Sequence, residues 1–517
     1  MMSLSVAEIA QATAGRLTHC GGDGAAATVG SVCTDSREAG PGSLFVAIAG
    51  DHVDGHDFVR QVREAGAVAA LVTREQDVDI PQIVVPDTVT ALGAVAKATV
   101  AARRATGRPF TVIGITGSVG KTTTKDLIRG ILSTQAPTVA PVGSFNNEIG
   151  LPLTATKVDA DTRYLVAEMG ASAIGEIRYL ASLVPPDIAV VLKVGVAHLG
   201  GFGSVENIRR AKAEIVQALP ADGVAVLNAD DPRVATMADM TPASTVRWFG
   251  IAESNNPCDV RATNVTVDGT DRPEFDLVTP EGQAHVHLAL RGRHNVMNAL
   301  AATTVALRLG VPLEDIVSVL DAQTAASPHR MAVSTVSLPG HASRDGGASA
   351  GACFTLIDDS FNANPDSMKA GLDGLAAWHA EGTDTPYRIA VLGSMLELGD
   401  DDDAKHRDIG AYCQRLGIDA IVCVGSDTDP NLDRLAADFA DGARAADTSG
   451  RMHVELVHGA DEADRSVTAL AADHPGSVVL LKGSHASGLS GLATRWTSQA
   501  AGSQKPPAAS RAEGDNA

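Results

Sequence analysis

The chain has 517 residues, of which 44% are apolar and 20% are charged, as in an ordinary globular protein. Its formal net charge of −21 argues against a nucleic-acid partner and against an acidic membrane surface, because like charges repel. A chain of this length typically divides into about three domains.

The cysteines and the N-terminal segment indicate the compartment. The six cysteines include no Cys-x-x-Cys pair, which is typical of free thiols in a reducing environment. Residues 1–10 lack a basic segment ahead of an apolar core, so no signal peptide is predicted. No apolar run approaches the roughly 18 residues of a membrane helix. We expect a cytoplasmic protein that does not insert into membranes, and a monomer.

Residues 1–109 alternate strand and helix patterns, which indicates a small α/β domain. The clearest strand pattern covers residues 43–49, and the longest helical pattern covers residues 89–104. Two polar segments stand near this strand, Thr34-Asp-Ser-Arg37 before it and Asp54-Gly-His56 after it. On composition alone, an ordinary polar turn is the better interpretation of the first segment.

The second predicted domain, residues 110–328, begins with the pattern of a phosphate-binding loop. A β-branched apolar run over residues 110–115 predicts a buried strand, and a Gly-rich turn leads from it into a helical pattern. Backbone N–H groups at such a turn bind phosphates. Lys121 is expected to reach the β- and γ-phosphates, and the Thr122 hydroxyl to hold Mg²⁺. The usual pattern has glycine where this chain has Ile115, and a chance Gly-rich turn is the alternative.

Polar residues follow two later strand patterns of this domain. One pattern ends at Glu168, and the next is followed by His198. Ligands of doubly wound sheets bind beyond the carboxyl ends of the strands, so Thr122, Glu168 and His198 could converge on a metal beside the phosphates. Mg²⁺ prefers oxygen ligands, however, and a strand-end histidine is more often a structural hydrogen-bonding residue.

The remainder of this domain carries three further candidates. An amphipathic helix is predicted over residues 205–219, with Lys212 one position off its apolar stripe. A solvated or salt-bridged lysine is the better interpretation of that pattern. Residues 245–291 predict short antiparallel strands, and the next helical pattern begins with Asn295 and Asn298. These two asparagines could cap that helix or contact a nucleotide.

Residues 329–497 predict a third α/β domain suited to a nucleotide or a small ligand, with a hinge at residues 327–330 before it. A Gly/Ser-rich stretch at residues 338–351 predicts a flexible hairpin insertion. Residues 498–517 are polar and lack periodicity, which predicts a disordered tail.

Several separate motifs resemble those of the Mur ligases, the ATP-dependent amide ligases that build the stem peptide of peptidoglycan. The resemblance covers roughly residues 4–497 and is carried by the segments 114–123, 144–154, 168–177, 197–204, 294–302, 357–368 and 390–399. The segment 114–123 is similar to the family's ATP loop, and 294–302 to its nucleotide-contacting helix. Within the family, the other segments are most similar to the members that add D-alanyl-D-alanine to a UDP-N-acetylmuramoyl tripeptide.

The resemblance implies an α/β protein with the three-domain Mur ligase architecture. An N-terminal UDP-sugar-binding domain would precede a central ATP-binding domain with a P-loop-type doubly wound sheet and a C-terminal Rossmann-like ligase domain. ATP and Mg²⁺ would be the cofactors, and UDP-MurNAc-tripeptide and D-Ala-D-Ala the substrates. Ligation through an acyl phosphate would give the UDP-MurNAc-pentapeptide. The alternatives are a Mur ligase that adds a diamino acid and a P-loop NTPase without ligase activity.

The resemblance also implies roles for individual residues. Catalysis would involve Lys121, Lys212 and His198, with a CO₂-derived carbamate carried at the position of Lys212 in relatives. The metal ligands would be Thr122, Glu168, His198 and Lys212. ATP would contact Gly117, Ser118, Gly120, Lys121, Thr122, Thr123, Asn295, Asn298, Arg330 and Asp359. The other substrates would contact Ser36, Arg37, Asp54, His56, Ser144, Asn146, Asn147, Asn362 and Asn364.

Overall fold

The structure of the protein is a computed structural model. It describes residues 1–50, 53–195, 199–251, 258–325, 327–338, 352–379, 385–399 and 401–502, with the backbone alone for 499–502. The chain forms two compact units. The first comprises Met1–Val267 and Arg272–Ser327, and the second comprises Asp268–Asp271 and Pro328–Ala517.

The first unit begins with a five-stranded sheet in the order β2-β7-β6-β5-β4, in which only β2 is antiparallel to its neighbour. Its strands are β2 (Arg16–Thr18), β4 (Ser31–Cys33), β5 (Ser43–Val46), β6 (Ala69–Val72) and β7 (Gln82–Val84), while β1 (Leu4–Ser5) and β3 (Thr28–Val29) form a separate pair. The helices of this part are α1 (Val6–Ala12), α2 (Val59–Glu64) and α3 (Thr88–Ala105). The helix α3 begins at Thr88 because the Asp87 carboxylate accepts the Thr90 N–H.

A nine-stranded sheet forms the larger part of the first unit, in the order β9-β10-β8-β11-β12-β13-β14-β15-β16. Its strands are β8 (Thr111–Thr116), β9 (Thr138–Val139), β10 (Tyr164–Glu168), β11 (Ile188–Val191), β12 (Val224–Asn228), β13 (Thr245–Ile251), β14 (Val260–Val267), β15 (Pro273–Thr279) and β16 (Gly282–His287). The strands from β9 to β14 in this order are parallel, and β15 and β16 continue the sheet as antiparallel strands.

Helices cover both faces of the nine-stranded sheet, as in a doubly wound fold. They are α4 (Lys121–Ser133), α5 (Gly150–Ala155), α6 (Glu176–Leu183), α7 (Leu199–Phe202), α8 (Val205–Gln217), α9 (Pro232–Ala235), α10 (Asn295–Arg308) and α11 (Leu313–Ala322). One apolar core lies between the sheet and α4, α10 and α11, and a second lies between the sheet and α6 and α8. This arrangement leaves the carboxyl ends of the parallel strands as the edge at which loops can gather polar side chains.

The prediction of antiparallel strands throughout residues 245–291 is wrong for the first of them. The strand β13 runs parallel to both β12 and β14, and the antiparallel pairing begins at β14–β15. The chain passes from β12 to β13 through α9 and a short 3₁₀ turn at Thr236–Met240. Such a crossover returns the chain to the same end of the sheet, which makes the next strand parallel.

The second unit contains a six-stranded sheet in the order β17-β18-β22-β19-β20-β21, in which only β17 is antiparallel. Its strands are β17 (Ala332–Ser337), β18 (Cys353–Asp359), β19 (Arg388–Gly393), β20 (Ala420–Val424), β21 (His453–Val457) and β22 (Val478–Lys482). Its helices are α12 (Pro365–Ala377), α13 (Asp402–Arg415), α14 (Pro430–Ala446), α15 (Ala460–Asp473) and α16 (Leu489–Gly502). Apolar cores on both faces of this sheet make it a second α/β layer structure.

Three features of the second unit bear on the predictions. The antiparallel pair β17–β18 flanks the predicted hairpin insertion, most of which (residues 339–351) lies outside the described residues. The helix α16 extends to Gly502, so the prediction of disorder from residue 498 is wrong for residues 498–502. None of the helices in the described ranges combines the length and the apolar character that a membrane span requires. The domain boundaries at residues 109 and 328 stay predictions.

Candidate active site

The predicted phosphate loop joins β8 to α4 in the first unit. Its Gly120 has a φ of 84°, a left-handed conformation, and a Cβ there would collide with the Asn298 side chain. The Ser118 N–H donates to the Lys193 carbonyl (2.8 Å), and the Ser118 hydroxyl accepts the Gly195 N–H (2.9 Å). The loop is therefore fixed against the chain that follows the neighbouring strand β11.

The first turn of α4 carries the residues that were predicted to meet phosphate and metal. The Lys121 ammonium folds back over the loop and donates to the Gly117 carbonyl (2.9 Å). Thr123 is partly exposed in the same turn. The Thr122 hydroxyl lies near the end of β10 and donates to Glu168 Oε2 (3.0 Å).

Glu168 is the centre of this hydrogen-bonded cluster. It ends β10 and is fully buried. Besides Thr122, its carboxylate accepts hydrogen bonds from the Ser144 hydroxyl (2.9 Å) and the Asn146 amide (2.8 Å), both to Oε1. The three donors are neutral, so they satisfy the lone pairs of a buried carboxylate without balancing its charge. This carboxylate joins the phosphate loop to the loop that carries Ser144 and Asn146.

Lys125 and Asp126 belong to this site although the sequence analysis did not select them. The Lys125 ammonium is fully buried, donates to the carbonyls of Pro141 (2.8 Å) and Gly143 (3.0 Å), and pairs with Asp126 (2.7 Å). Asp126 in turn accepts the Ser327 hydroxyl (2.6 Å). Lys125 therefore anchors the loop just before Ser144. Its position four residues after Lys121, one helical turn on, is the sequence signal that could have identified it.

Lys212 lies within α8 and is 3% exposed. The interpretation as a solvated or salt-bridged surface lysine is therefore wrong, because the buried face of α8 is wider than its apolar stripe and also includes Glu214. Burial, and after it the nearby charge of Lys121, lowers the pKa of Lys212 well below its ordinary value. A lowered pKa favours the neutral amine.

Asn295 and Asn298 connect α10 to the phosphate loop. The Thr124 hydroxyl donates to Asn298 Oδ1 (3.2 Å), and the Asn298 amide donates to Asn295 Oδ1 (2.7 Å). The Asn295 amide donates to the Arg291 carbonyl, and no side chain caps the start of α10. The capping interpretation is therefore wrong, and the contact with a nucleotide stays a prediction.

Two further residues of the first unit, Asn147 and His198, are predicted for this site from the sequence. The Asn147 side chain accepts the Gly150 N–H (2.9 Å) and so fixes the start of α5. His198 lies outside the described residues. The segment that leads to it is held at Gly195 by Ser118 and at Val194, whose N–H donates to Asp231 (2.8 Å).

The predicted sugar-site residues lie in the loops of the five-stranded sheet. Ser36 and Arg37 form a 3₁₀ turn, in which the exposed Arg37 guanidinium pairs with Asp35. His56 is buried, and its Nε2 accepts the Thr73 N–H (2.9 Å), so its Nδ1 is the nitrogen that donates to Asp54 (2.6 Å). Hydrogen bonds from Arg74, and then from His56, lower the pKa of the Asp54 carboxyl.

The predicted residues of the second unit surround the end of β18. Asp359 ends that strand and pairs with Lys482. The Arg330 guanidinium lies over the Phe361 ring, 4.5 Å from its centre. The Asn362 side chain accepts the Ala363 N–H (2.8 Å), and Asn364 caps α12 by accepting the Ser367 N–H (3.0 Å). These contacts hold the loop, and the predicted ligand contacts of Arg330, Asp359, Asn362 and Asn364 stay predictions.

Comparison with known proteins identifies the family. Sequence models of the Mur ligase family catalytic domain, the Mur ligase middle domain and the Mur ligase glutamate ligase domain match residues 28–106, 115–306 and 348–485. The UDP-N-acetylmuramoyl-tripeptide–D-alanyl-D-alanine ligase of Mycobacterium tuberculosis is 41% identical over 95% of this chain and 97% of its own length. The chain belongs to the Mur ligase family.

Solved structures of Mur ligases agree with this assignment. A crystal structure of MurF from Acinetobacter baumannii, 32% identical, superposes with a TM-score of 0.78 over 96% of this chain and 99% of its own. MurF ligase from Thermotoga maritima in complex with ADP superposes with a TM-score of 0.71 over 92% of this chain and 98% of its own. At 24% identity the second structure shows the fold alone. The predicted family and the α/β Mur ligase fold class are confirmed.

The donors that this Mur ligase gathers around Glu168 fit Mg²⁺. The group offers a carboxylate that is fully buried and a threonine hydroxyl 3.0 Å from it. Hard oxygen ligands of this kind are those that Mg²⁺ takes, usually together with phosphate oxygens. A divalent cation would also balance the charge that the three neutral donors leave on the carboxylate.

Proposed function

We propose that this protein joins D-alanyl-D-alanine to UDP-N-acetylmuramoyl-tripeptide with ATP, forming the pentapeptide precursor of peptidoglycan. The observation that carries the proposal is the double attachment of Glu168, to Thr122 of the phosphate loop and to Ser144 and Asn146 of a separate loop. One buried carboxylate thus connects a triphosphate site to a loop suited to the acceptor. Relatives such as the mycobacterial protein, 41% identical, carry the name of this ligase.

Amide formation explains why both sites must meet. A carboxylate is a poor electrophile, so the terminal carboxylate of the tripeptide first attacks the γ-phosphorus of ATP and releases ADP. The resulting acyl phosphate is attacked at its carbonyl carbon by the amine of D-Ala-D-Ala. The tetrahedral intermediate then releases inorganic phosphate and a proton. The first step brings two anions together, and the protein must hold them in line and screen their repulsion.

The residues of the phosphate loop and its neighbours would have separate roles in this reaction. Backbone N–H groups from Val119 to Thr122 would bind the phosphates at the start of α4, where the helix dipole favours negative charge. The Lys121 ammonium donates to the Gly117 carbonyl in this structure. With ATP bound, it would instead contact the β- and γ-phosphates. Thr122 and Glu168, with His198 in the proposed set, would hold Mg²⁺, which supplies charge screening between phosphate and carboxylate. Asn298 would keep α10 against the loop and place Asn295 toward the nucleotide.

Lys212 would contribute as a carbamate. Burial, and after it the charge of Lys121, lowers the pKa of its amine and so favours the neutral form that attacks CO₂. The nitrogen forms a bond to the carbon of CO₂ and loses one proton, which turns a potential cation into an anion. The carbamate oxygens would then ligate a second Mg²⁺.

The remaining predicted contacts complete the proposal. Ser36, Arg37, Asp54 and His56 would contact or shape the site of the UDP-sugar, with His56 acting through its hydrogen bond to Asp54. Ser144, Asn146 and Asn147 would lie near the muramoyl group, and Asn362 and Asn364 near the peptide. Ser118 and Thr123, with Gly120, would line the phosphates, and Arg330 and Asp359 would contact ATP.

The monomeric state and the cytoplasmic location stay predictions, which sedimentation velocity and cell fractionation test.

The decisive experiment measures phosphate release from the purified full chain with ATP, Mg²⁺ and UDP-MurNAc-tripeptide, with and without D-Ala-D-Ala. We expect release only when the dipeptide is present, and a product heavier than the acceptor by one D-Ala-D-Ala minus water. Release without either substrate would instead indicate a P-loop NTPase. Release that needs a free diamino acid and a shorter acceptor would indicate another Mur ligase.

The variant Lys121→Ala tests the role of the phosphate loop in the same assay. We expect a loss of ligation of at least about a hundredfold, because a positioned charge at the transferred phosphoryl group is removed. Lys157→Ala is the matched control, since Lys157 is an exposed lysine in the turn that follows α5. Equal activity of both variants would contradict the proposed site.

A further inference from the structure

The hairpin β15–β16 presents four polar side chains on its outer face. Along β15 the alternate residues Phe275 and Leu277 are buried, and on β16 Val286 is buried, because strand side chains point to opposite faces in turn. The residues between them point outward and form a group that we call the hairpin cluster: Glu274, Asp276, His285 and His287.

The strand register places each imidazole opposite a carboxylate. Glu274 is directly across from His287, and Asp276 is directly across from His285. The facing side chains are in contact, with 3.1 Å between His287 Nδ1 and Glu274 Oε1 and 2.8 Å between His285 Nδ1 and Asp276 Oδ1. The two imidazole rings are themselves only 4.6 Å apart, centre to centre.

This proximity has the dimensions of a metal site. One ligand atom from each of Glu274, His285 and His287 lies within 4.8 Å of the other two. Around Zn²⁺, with bonds of about 2.0–2.1 Å, tetrahedral ligand atoms are separated by about 3.4 Å. The imidazoles are half exposed or more, at 50% and 62%, so modest rotations about their side-chain torsions can close the remaining gap.

Asp276 supplies the support that metal-binding histidines usually have. The Asn264 amide donates to Asp276 Oδ2 (2.7 Å) and so helps to hold the Asp276 carboxylate in place. The carboxylate fixes the His285 ring through Nδ1 and leaves Nε2 as the nitrogen that a metal would take. Such a carboxylate–histidine pair orients the ring and raises its basicity toward the metal.

We propose that the hairpin cluster binds one divalent transition metal of the Zn²⁺ class, through Glu274, His285 and His287 and with water in the open position. Two imidazoles and one carboxylate suit Zn²⁺, Ni²⁺ or Cu²⁺, whereas Mg²⁺ and Ca²⁺ prefer oxygen ligands alone. The site is distinct from the Glu168 cluster. The strands β15 and β10 are six neighbours apart in the sheet order, roughly 29 Å at the usual strand spacing.

Equilibrium dialysis of the full chain against ZnCl₂, with excess Mg²⁺ in the buffer, tests the proposal by metal analysis. The comparison is between the wild type and the double variant His285→Gln/His287→Gln. We expect the wild type to retain one Zn²⁺ per chain more than the double variant, and Glu274→Gln to bind at least tenfold more weakly. The control is His453→Gln, which removes an exposed strand histidine that pairs with a single carboxylate, Glu455.

The difference in bound Zn²⁺ decides the outcome, whatever other sites the chain has. Equal Zn²⁺ content in the wild type and the double variant would overturn the proposal, as would an equal loss in His453→Gln. The double variant changes two exposed side chains, so we expect its circular dichroism to be unchanged. Replacing ZnCl₂ by CoCl₂ adds a second measurement, because the intensity of the Co²⁺ absorption bands reports the coordination geometry of the bound ion.

Discussion

Two glutamates on one sheet show how burial decides what a carboxylate does. Glu168, at the end of the parallel strand β10, is fully buried and accepts hydrogen bonds from three neutral side chains. Glu274, on the edge hairpin, is 44% exposed and faces an imidazole. Water screens the charge of Glu274, whereas the charge of Glu168 must be met by fixed groups.

This difference in burial explains why the groups around Glu168 are fixed more tightly than the groups around Glu274. A buried charge without a partner costs several kcal/mol, so the groups around Glu168 must be prearranged and held by other residues such as Lys125. An exposed carboxylate tolerates loose neighbours, and the cluster around Glu274 therefore depends on strand register alone. The first arrangement is suited to catalysis and the second to reversible metal binding.

The variant Glu168→Gln should have the largest effect. It keeps the size of the side chain but removes its charge and turns one acceptor into a donor facing the hydroxyl and amide donors. We expect ligation to fall by more than about a hundredfold, because even residues that only support metal ligands cost 10–100-fold. Phosphate release under the conditions given above measures this.

Glu281→Gln is the matched control for that variant. Glu281 is an exposed residue in the turn between β15 and β16, in the same sheet as Glu168. We expect its activity to equal that of the wild type. Comparable losses in the two variants would mean that the buried carboxylate has no special role.

The variant Lys125→Met tests the support of the Glu168 cluster. It removes the cation from a buried pair and leaves the Asp126 carboxylate with the Ser327 hydroxyl but without Lys125, which typically costs about 3 kcal/mol of unfolding free energy. The loop carbonyls of Pro141 and Gly143 also lose their donor. We expect a lower melting temperature in calorimetry and a raised KM for the UDP-MurNAc peptide, with a smaller change in KM for ATP.

The double variant Lys125→Met/Asp126→Asn separates the effect of the unpaired aspartate from the effect of the lost loop anchor. Removing both charges relieves the unpaired aspartate, so the melting temperature should return part of the way toward that of the wild type. The loop remains without its anchor, so KM for the UDP-MurNAc peptide should stay high. A double variant as damaged in stability as Lys125→Met would contradict the ion-pair explanation.

The sequence predicted much of this architecture because local patterns determine it. The phosphate loop, the strand ending at Glu168 and the helices α3, α4, α8 and α10 follow from short apolar periods and Gly-rich turns. The parallel pairing of β13 did not follow, because strand direction depends on the crossover between strands rather than on composition. Disorder was overpredicted at residues 498–502, where α16 continues through small and polar residues.

Within the site, individual residues could be predicted from the sequence better than the contacts between them. Lys212 lies off the apolar stripe of α8, and its burial arises from packing that the helix pattern does not contain. The attachment of Lys125 to Pro141 and Gly143 joins groups 16 and 18 residues apart, with the rest of α4 and the strand β9 between them. The hairpin cluster depends on the register of β15 and β16, and a shift of one residue would separate its members.

The variant Lys212→Met should stabilise the protein in CO₂-free buffer while lowering ligation. The pKa of Lys212 is lowered in the folded state, so the unfolded chain binds more protons below the ordinary lysine pKa of 10.5. Stability of the wild type therefore rises with pH toward that value. We expect the melting temperature of the variant to exceed that of the wild type most at neutral pH, with the difference shrinking as pH rises. A pH-independent difference would contradict a lowered pKa for the Lys212 amine.

The smallest effect is expected for Glu274→Gln in metal-free buffer. Its contact with His287 is an exposed pair, and such pairs contribute about 0.2–1 kcal/mol at most. Thermal unfolding of the variant and the wild type should therefore nearly coincide in EDTA. Added Zn²⁺ should raise the melting temperature of the wild type alone, because a ligand that binds only the folded chain stabilises it by mass action. Replacing Glu274 would then have almost no effect on thermal stability without metal and a measurable effect with it, whereas Glu168 would be essential for ligation. A large loss of stability in EDTA would show instead that the hairpin, like the end of β10 at Glu168, depends on a fixed charge.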